Sequence, residues 1–213
     1  MMIPTTVHDI SVPLGTGSVA YPGDPPFELR RVASFETGPF TLSRLAMSAH
    51  AGTHLDFPAH VVARGADIAG YPAARFILSA VVVDVPPDAA YVTHEDVLRA
   101  GLEPGDAVLF RTRNSADGVC RSGAWTDRYV CLTPEAGRAC LSAEASLAGI
   151  DGPSVDRFDD EGLPVHRILL ANDILVLEGI DLSGISAGRY TLVCLPLPIP
   201  GCEASPVRAV LLG

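Results

Sequence analysis

The segment SAHAGTHLDFPAH, residues 48–60, carries three of the chain's six histidines. It sets His50, His54, Asp56 and His60 close together, with Gly52 and Pro58 between them. Neutral imidazole and carboxylate are ligands for zinc, manganese or iron, and suit catalytic sites better than thiolate structural ones. A turn at Gly52, where backbone can take a positive φ, would bring His50 and His54 round one point. Asp56 has two oxygens and can bridge two ions, and Pro58 stiffens the exit before His60. Burying four such groups without partners would cost on the order of several kcal/mol. Metal binding is therefore the expected role.

Few elements in the sequence are long enough to be anything but short supports for that segment. The 20 glycines and 18 prolines among 213 residues are spread throughout, pointing to many short elements and turns. Apolar runs at 77–85, 106–112, 174–179, 189–197 and 206–212 predict strands, and the alternation of FTLSRLAMSAH (40–50) predicts a half-buried strand leading into the histidines. Thr93 with Asp96 and Gly101 brackets a helix over 93–101. Thr133 and Pro134 open another over 133–143, and LPVHRILLAND (163–173) a third, with His166 in its first turn. No repeat or linker divides the chain, so one α/β domain over residues 1–213, strand-rich with short helices, is expected.

Composition narrows the function. The net charge is -10, and all 15 basic residues are arginines without a basic stripe, which argues against nucleic acid as a partner. With no lysine there is no Schiff-base chemistry. Five cysteines without a C-x-x-C pair suggest neither a disulfide framework nor a thiolate zinc site, and Cys194 reads as a core residue. No apolar run reaches the roughly 20 residues of a membrane span. The N-terminus lacks the features of a secretory signal, so a cytoplasmic enzyme is expected.

HAGTHLDFPAH resembles the H-x-G-T-H-x-D-x-P-x-H signature of the cyclase-like metal hydrolases, whose best-known members are bacterial kynurenine formamidases. The likeness continues in HDISVPLGTGSVAYPGDPPFEL (8–29), GIDGPSVD (149–156), HRILLANDILVLEGI (166–180) and LPLPIPGCEASPVRAVLL (195–212). The resemblance implies a swivelling β/β/α fold, a homodimer, and two divalent ions per chain, zinc or sometimes manganese. Carried over, His50, His54 and Asp56 would hold one ion; Asp56 would bridge to a second, held also by His166 and Glu178. His60 would be the general acid/base. Tyr21, before Pro22-Gly23-Asp24, stands where these formamidases usually carry tryptophan or phenylalanine against the substrate's ring, and Pro25 where threonine is common. His8 and His94 match nothing in the motif, and His94 is expected at the surface.

That site would suit amide hydrolysis. Divalent ions supply hydroxide near neutral pH and polarise the carbonyl. A histidine near pKa 7 can protonate the leaving amine, and His60 is the free one. There is no G-x-S-x-G elbow, and Cys202 and Ser205 have no evident base partner. The expected activity is arylformamidase, converting N-formylkynurenine to kynurenine and formate. The alternatives are hydrolysis of another small amide, such as the cyclic amide isatin, and a metal-bearing binding module without turnover, which would have no use for His60.

Overall fold

A computed structural model describes residues 6–15 and 17–213. In chain order the elements are β1 (Val7–Asp9), β2 (Glu28–Ala33), β3 (Leu42–Ala46), β4 (His54–Asp56), β5 (Ile77–Asp84), β6 (Tyr91–Val92) and α1 (His94–Ala100). They continue with β7 (Ala107–Arg111), α2 (Arg113–Asp117), β8 (Cys131–Leu132), α3 (Pro134–Ser142), β9 (Leu147–Ile150) and α4 (Pro164–Leu170). The last four are β10 (Leu175–Glu178), β11 (Gly188–Val193), β12 (Ala204–Pro206) and β13 (Val210–Leu212). The fold is mixed α/β, strand-rich with short helices, as the sequence led one to expect. No helix among the described residues is long and apolar enough to cross a membrane.

Nine strands form one sheet in the order β1-β13-β11-β5-β7-β9-β10-β4-β12. Its centre, β5-β7-β9-β10, is parallel, because each connection between these strands includes a helix that crosses back over the sheet. Such strands are covered on both faces and read as continuous apolar runs, which is why VVV at 81–83 and VLF at 108–110 do not alternate. Residues facing one side, Val81, Val83, Val108, Phe110 and Val176, pack with Val97, Ala136 and Leu169 of the helices. The other side buries Val82, Leu109, Leu147 and Leu177 with Leu55, Phe57 and Leu211.

Leu55 and Leu211 belong to opposite regions of the strand order, yet they share a core. The chain explains why. β12 and β13 are separated only by residues 207–209, while β12 pairs with β4 at one end of the sheet and β13 pairs with β1 and β11 near the other. So short a link can join those ends only if the sheet curls round on itself. The curl is closed where the segment after β1 meets the segment after β10: Ser11 bridges to Ile180, and Asp181 N–H donates to Ile10 O at 2.9 Å.

Helix signals in the sequence are realised closely. Asp96 accepts from the Thr93 backbone N–H at 2.7 Å, and Gly101 ends α1 at φ 57°. Thr133 Oγ1 accepts from Ala136 N–H at the start of α3. Two strand expectations fail. The run 206–212 is broken by the link at 207–209 into the last residue of β12 and the whole of β13, which lie in different parts of the sheet. The strand before the histidines is not half-buried. The strand within 40–50 is only Leu42–Ala46, is largely exposed, and pairs with β2 in a two-stranded ribbon apart from the main sheet. Its alternation comes from side chains on a ribbon with little of the protein beneath it, so period alone overstates its burial.

Two glycines fix where the ligand-bearing strand enters the sheet. Gly52 has φ 65° and Gly179 has φ 67°. A Cβ on Gly179 would lie 2.4 Å from Gly52 O, so neither backbone has room to yield. Gly179→Ala is expected to destabilise the protein by about 2–4 kcal/mol, combining left-handed strain with displacement of the loop that carries His50 and His54. Chemical denaturation checks this. Stability equal to the parent's would mean the crossing is loose.

Candidate metal centre

Each residue of the HAGTHLDFPAH segment is placed by a different local device. His50 lies in the turn after β3, and Ser48 Oγ accepts its backbone N–H at 3.2 Å. Thr53 bolts the loop down: its hydroxyl accepts from Val12 N–H at 2.8 Å and donates to Gly179 O at 2.6 Å. His54 and Asp56 begin and end β4, so strand alternation sets both side chains on one face. Pro58 opens a 3₁₀ turn that ends in His60. From the far half of the chain, β10 pairs with β4 so that Glu178 stands opposite His54. His166, in the first turn of α4, faces the same point.

The donors converge. Asp56 Oδ1 lies 2.9 Å from His50 Nδ1 and 3.5 Å from His54 Nε2, and its Oδ2 lies 3.4 Å from His166 Nε2. Glu178 reaches His54 Nε2 at 3.4 Å and His166 Nε2 at 3.2 Å. Donor atoms of His54, Asp56 and Glu178, and separately of His50, Asp56 and His60, all fall within 4.8 Å of one another. The His60 ring sits 4.5 Å from that of His50 and 5.4 Å from that of His166. The six residues expected to hold metal or move protons thus meet in one place, and the seventh, Tyr21, lines the cavity above them.

Asp56 is 0% exposed, and neither of its oxygens, nor His54 Nε2, makes a hydrogen bond despite these short separations. The contacts place charge beside charge without donor geometry. Orphaned polar atoms at such depth are costly for a folded protein, and a cation at their centre would satisfy all of them. The residues therefore fit a metal.

The outer contacts point the same way. His54 Nδ1–H donates to Gly52 O at 2.9 Å, leaving Nε2 as the inward lone pair. Asp156, 1% exposed, accepts from His166 Nδ1–H at 2.7 Å, from His166 N–H at 3.0 Å and from Val165 N–H at 2.8 Å. One carboxylate thereby starts α4 and turns His166 Nε2 inward, as the outer partners of metal-binding histidines do. Glu178 Oε1 accepts from Val155 N–H at 2.6 Å. Nothing in the S-x-D spacing that ends in Asp156 reveals this task, because its partner starts a later helix.

Electrostatics follow the packing. Burial alone would lower the pKa of His54, but Asp56 and Glu178 outweigh it and hold the imidazole up at about 9. Burial would likewise raise Glu178, yet the His166 and His54 rings hold it down at about 2. Asp56 is held well below the carboxylate range by the imidazoles, against its burial. His60 differs. Burial dominates and lowers its pKa, so the ring is the neutral member of the group.

These groups floor a cavity of about 200 Å³, lined also by Tyr21, Asp24, Pro153, Ser154 and Leu163. Tyr21 is wedged by Trp125, with ring centroids 4.9 Å apart, and by Phe158 at 5.8 Å. A larger groove of about 420 Å³ beside Tyr129 and Phe158 contains none of the clustered donors. Elsewhere, His94 is exposed, Cys194 is buried in the core, and all five cysteines are free. Ser205 Oγ accepts from Leu197 N–H and donates to Pro206 O, a structural role.

A His/carboxylate cluster of this kind, buried beneath a cavity in a curled α/β sheet, is the site of a metal-dependent enzyme. The sequence model of the family described as "Putative cyclase" matches residues 8–157, and the chain belongs to this cyclase family. It is 37% identical over 205 residues to the kynurenine formamidase of Salinibacter ruber, covering 95% of each chain. The solved structure of a potential metal-dependent hydrolase with cyclase activity superposes with a TM-score of 0.82 at 29% identity, covering 97% of this chain and 96% of that one. Isatin hydrolase A from Labrenzia aggregata shares the fold, with a TM-score of 0.82 at 21% identity over 97% and 93% of the two chains.

Asp156→Asn is expected to weaken metal binding roughly 10- to 100-fold, because a neutral acceptor holds the His166 ring less firmly. Adding it to His166→Ala should weaken binding no further, since the effect passes through that ring. Metal titration of the single and double variants checks this, and additive losses would make Asp156 a helix cap only.

Proposed function

We propose that this protein is a metal-dependent amide hydrolase acting as an arylformamidase, converting N-formylkynurenine to kynurenine and formate. The observation that carries the reading is the convergence of His50, His54, Asp56, His166 and Glu178, with Asp56 and His54 Nε2 unpartnered, at the base of a cavity walled by Tyr21. The identity with a kynurenine formamidase over 95% of the chain supports the substrate.

In this reading His50, His54 and Asp56 would hold one divalent ion, and Asp56, His166 and Glu178 would hold a second. Zinc is the favoured metal and manganese the alternative, both accepting this donor set. Bound there, the ions lower the pKa of water and polarise the formyl carbonyl. The chain's own groups do the rest. Tyr21, backed by Trp125 and Phe158, receives the aryl ring and sets the formyl group over the floor of the cavity. His60, neutral at rest beside His50 and His166, takes a proton from the attacking water and passes it to the departing anilide nitrogen, which leaves poorly as an anion. The buried wall of Phe57, Leu55 and Leu177 behind the ligands keeps bulk water from them.

The protein acts as one domain and as a homodimer. The β2-β3 ribbon supports the dimer: it exposes Leu29, Val32, Phe35, Phe40, Leu42 and Leu45, an apolar surface that an isolated ribbon cannot bury by itself. Leu45→Asp with Phe35→Asp is expected to give a monomer in light scattering. An unchanged dimer would put the interface elsewhere.

Turnover of N-formylkynurenine and of isatin by metal-loaded protein tests the substrate. The formamide is expected to be much the better one, and preference for isatin would favour the cyclic-amide reading. His60→Ala is expected to retain its metal while losing roughly 10²- to 10⁴-fold in kcat. Loss of metal in that variant would make His60 a ligand, a role that its place beside His50 and Asp56 also allows.

A further inference from the structure

The cavity has a charge pattern that the metal site does not use. Its lining contains two carboxylates, Asp24 and Glu178, four histidines and, among the described residues, none of the chain's arginines. Glu178 is in the metal cluster; Asp24 is not. Asp24 sits three residues beyond Tyr21, in a turn closed by Asp24 N–H donating to Tyr21 O at 3.0 Å. Its Oδ2 accepts from Ser48 Oγ at 2.9 Å, which fixes the side chain, while Oδ1 has no protein partner among the described residues and is not sealed from solvent. An oriented carboxylate with one free oxygen thus stands at the wall of the cavity, next to the aromatic side chain.

We propose that Asp24 is a specificity-determining residue that pairs with a protonated amine on the substrate, so that the site selects aryl formamides bearing an ammonium group. This rests on the arylformamidase reading and deepens it. A ring lying on Tyr21 and an ammonium meeting Asp24 use neighbouring positions of one turn, so a single local structure recognises both. Outside the metal cluster the lining offers a substrate carboxylate no arginine, and that group is left to solvent. A carboxylate group on the substrate is therefore dispensable, whereas the amine is not. Hydrogen bonds to charged partners are the strong ones, and the contact is expected to change kcat/KM accordingly.

The test compares three aryl formamides on metal-loaded parent and Asp24→Asn proteins: N-formylkynurenine, its decarboxylated amine analogue, and formanilide, which has neither charge. The amide oxygen of asparagine still accepts from Ser48, so the turn is kept, and metal content is measured alongside. The ratio of kcat/KM for N-formylkynurenine over formanilide should fall roughly 10- to 100-fold in Asp24→Asn. The ratio for the amine analogue over formanilide should fall with it, and in the parent the amine analogue should rival N-formylkynurenine. Unchanged ratios with intact turnover would overturn the role of Asp24 alone. A parent enzyme that prefers formanilide to both amines would do the same. Failure of the parent on all three formamides would instead overturn the arylformamidase reading, and this inference with it.

Discussion

Everything in this structure is arranged round a carboxylate that the protein alone does not satisfy. Asp56 is completely buried and neither oxygen has a hydrogen-bond donor, a placement that costs more than its short strand can return. The apolar core must carry that cost, and it does so from both faces of the sheet. Histidines drawn up in pKa by Asp56 and Glu178 relieve part of it by lending positive charge. A divalent cation relieves it more completely, so metal affinity here is strain in the protein that binding releases.

Holding Asp56 in that state requires backbone that cannot drift. β4 lies antiparallel between β10 and β12, and its three residues are locked on both edges. Thr53 ties the loop before it to both Val12 and Gly179. On the other side Asp156 aims His166, and the Tyr129 hydroxyl donates to the Asp156 carbonyl at 2.9 Å. Since Tyr129 also packs on Trp125, which wedges Tyr21, the aromatic wall and the metal floor share one support. Shifts in one are felt by the other.

The ligand segment was legible because its chemistry is local. His50, His54, Asp56 and His60 are close in sequence, and no structure is needed to see that they are too many polar groups to bury idly. His166 and Glu178 were legible only through family resemblance, since their meeting with His54 depends on strand register. Helix starts at Thr93 and Thr133 were visible because caps are short-range bonds. The ribbon was misjudged because alternation reports which side chains share a face, not what lies beneath. The positions of β4 and β12 in the sheet and the helix α2 were not legible at all, being fixed by partners dozens of residues away. The work of Asp156 was hidden because His166, only ten residues on, meets it across an irregular turn.

The closure of the sheet has a consequence for how the protein comes into being. β13 lies between β1 and β11, and β12 completes the pairing of the strand that carries His54 and Asp56. Both are made well after the ligand segment. Until residues 204–212 emerge, β1 has no neighbour and β4 keeps an open edge, so the ligand segment, finished some 150 residues earlier, waits beside incomplete structure. Long-range pairing of this sort is slow and leaves strand edges exposed in the meantime. The histidines of the ligand segment are therefore synthesised long before the strand that closes the edge of β4, and their final spacing is set only when β12 docks.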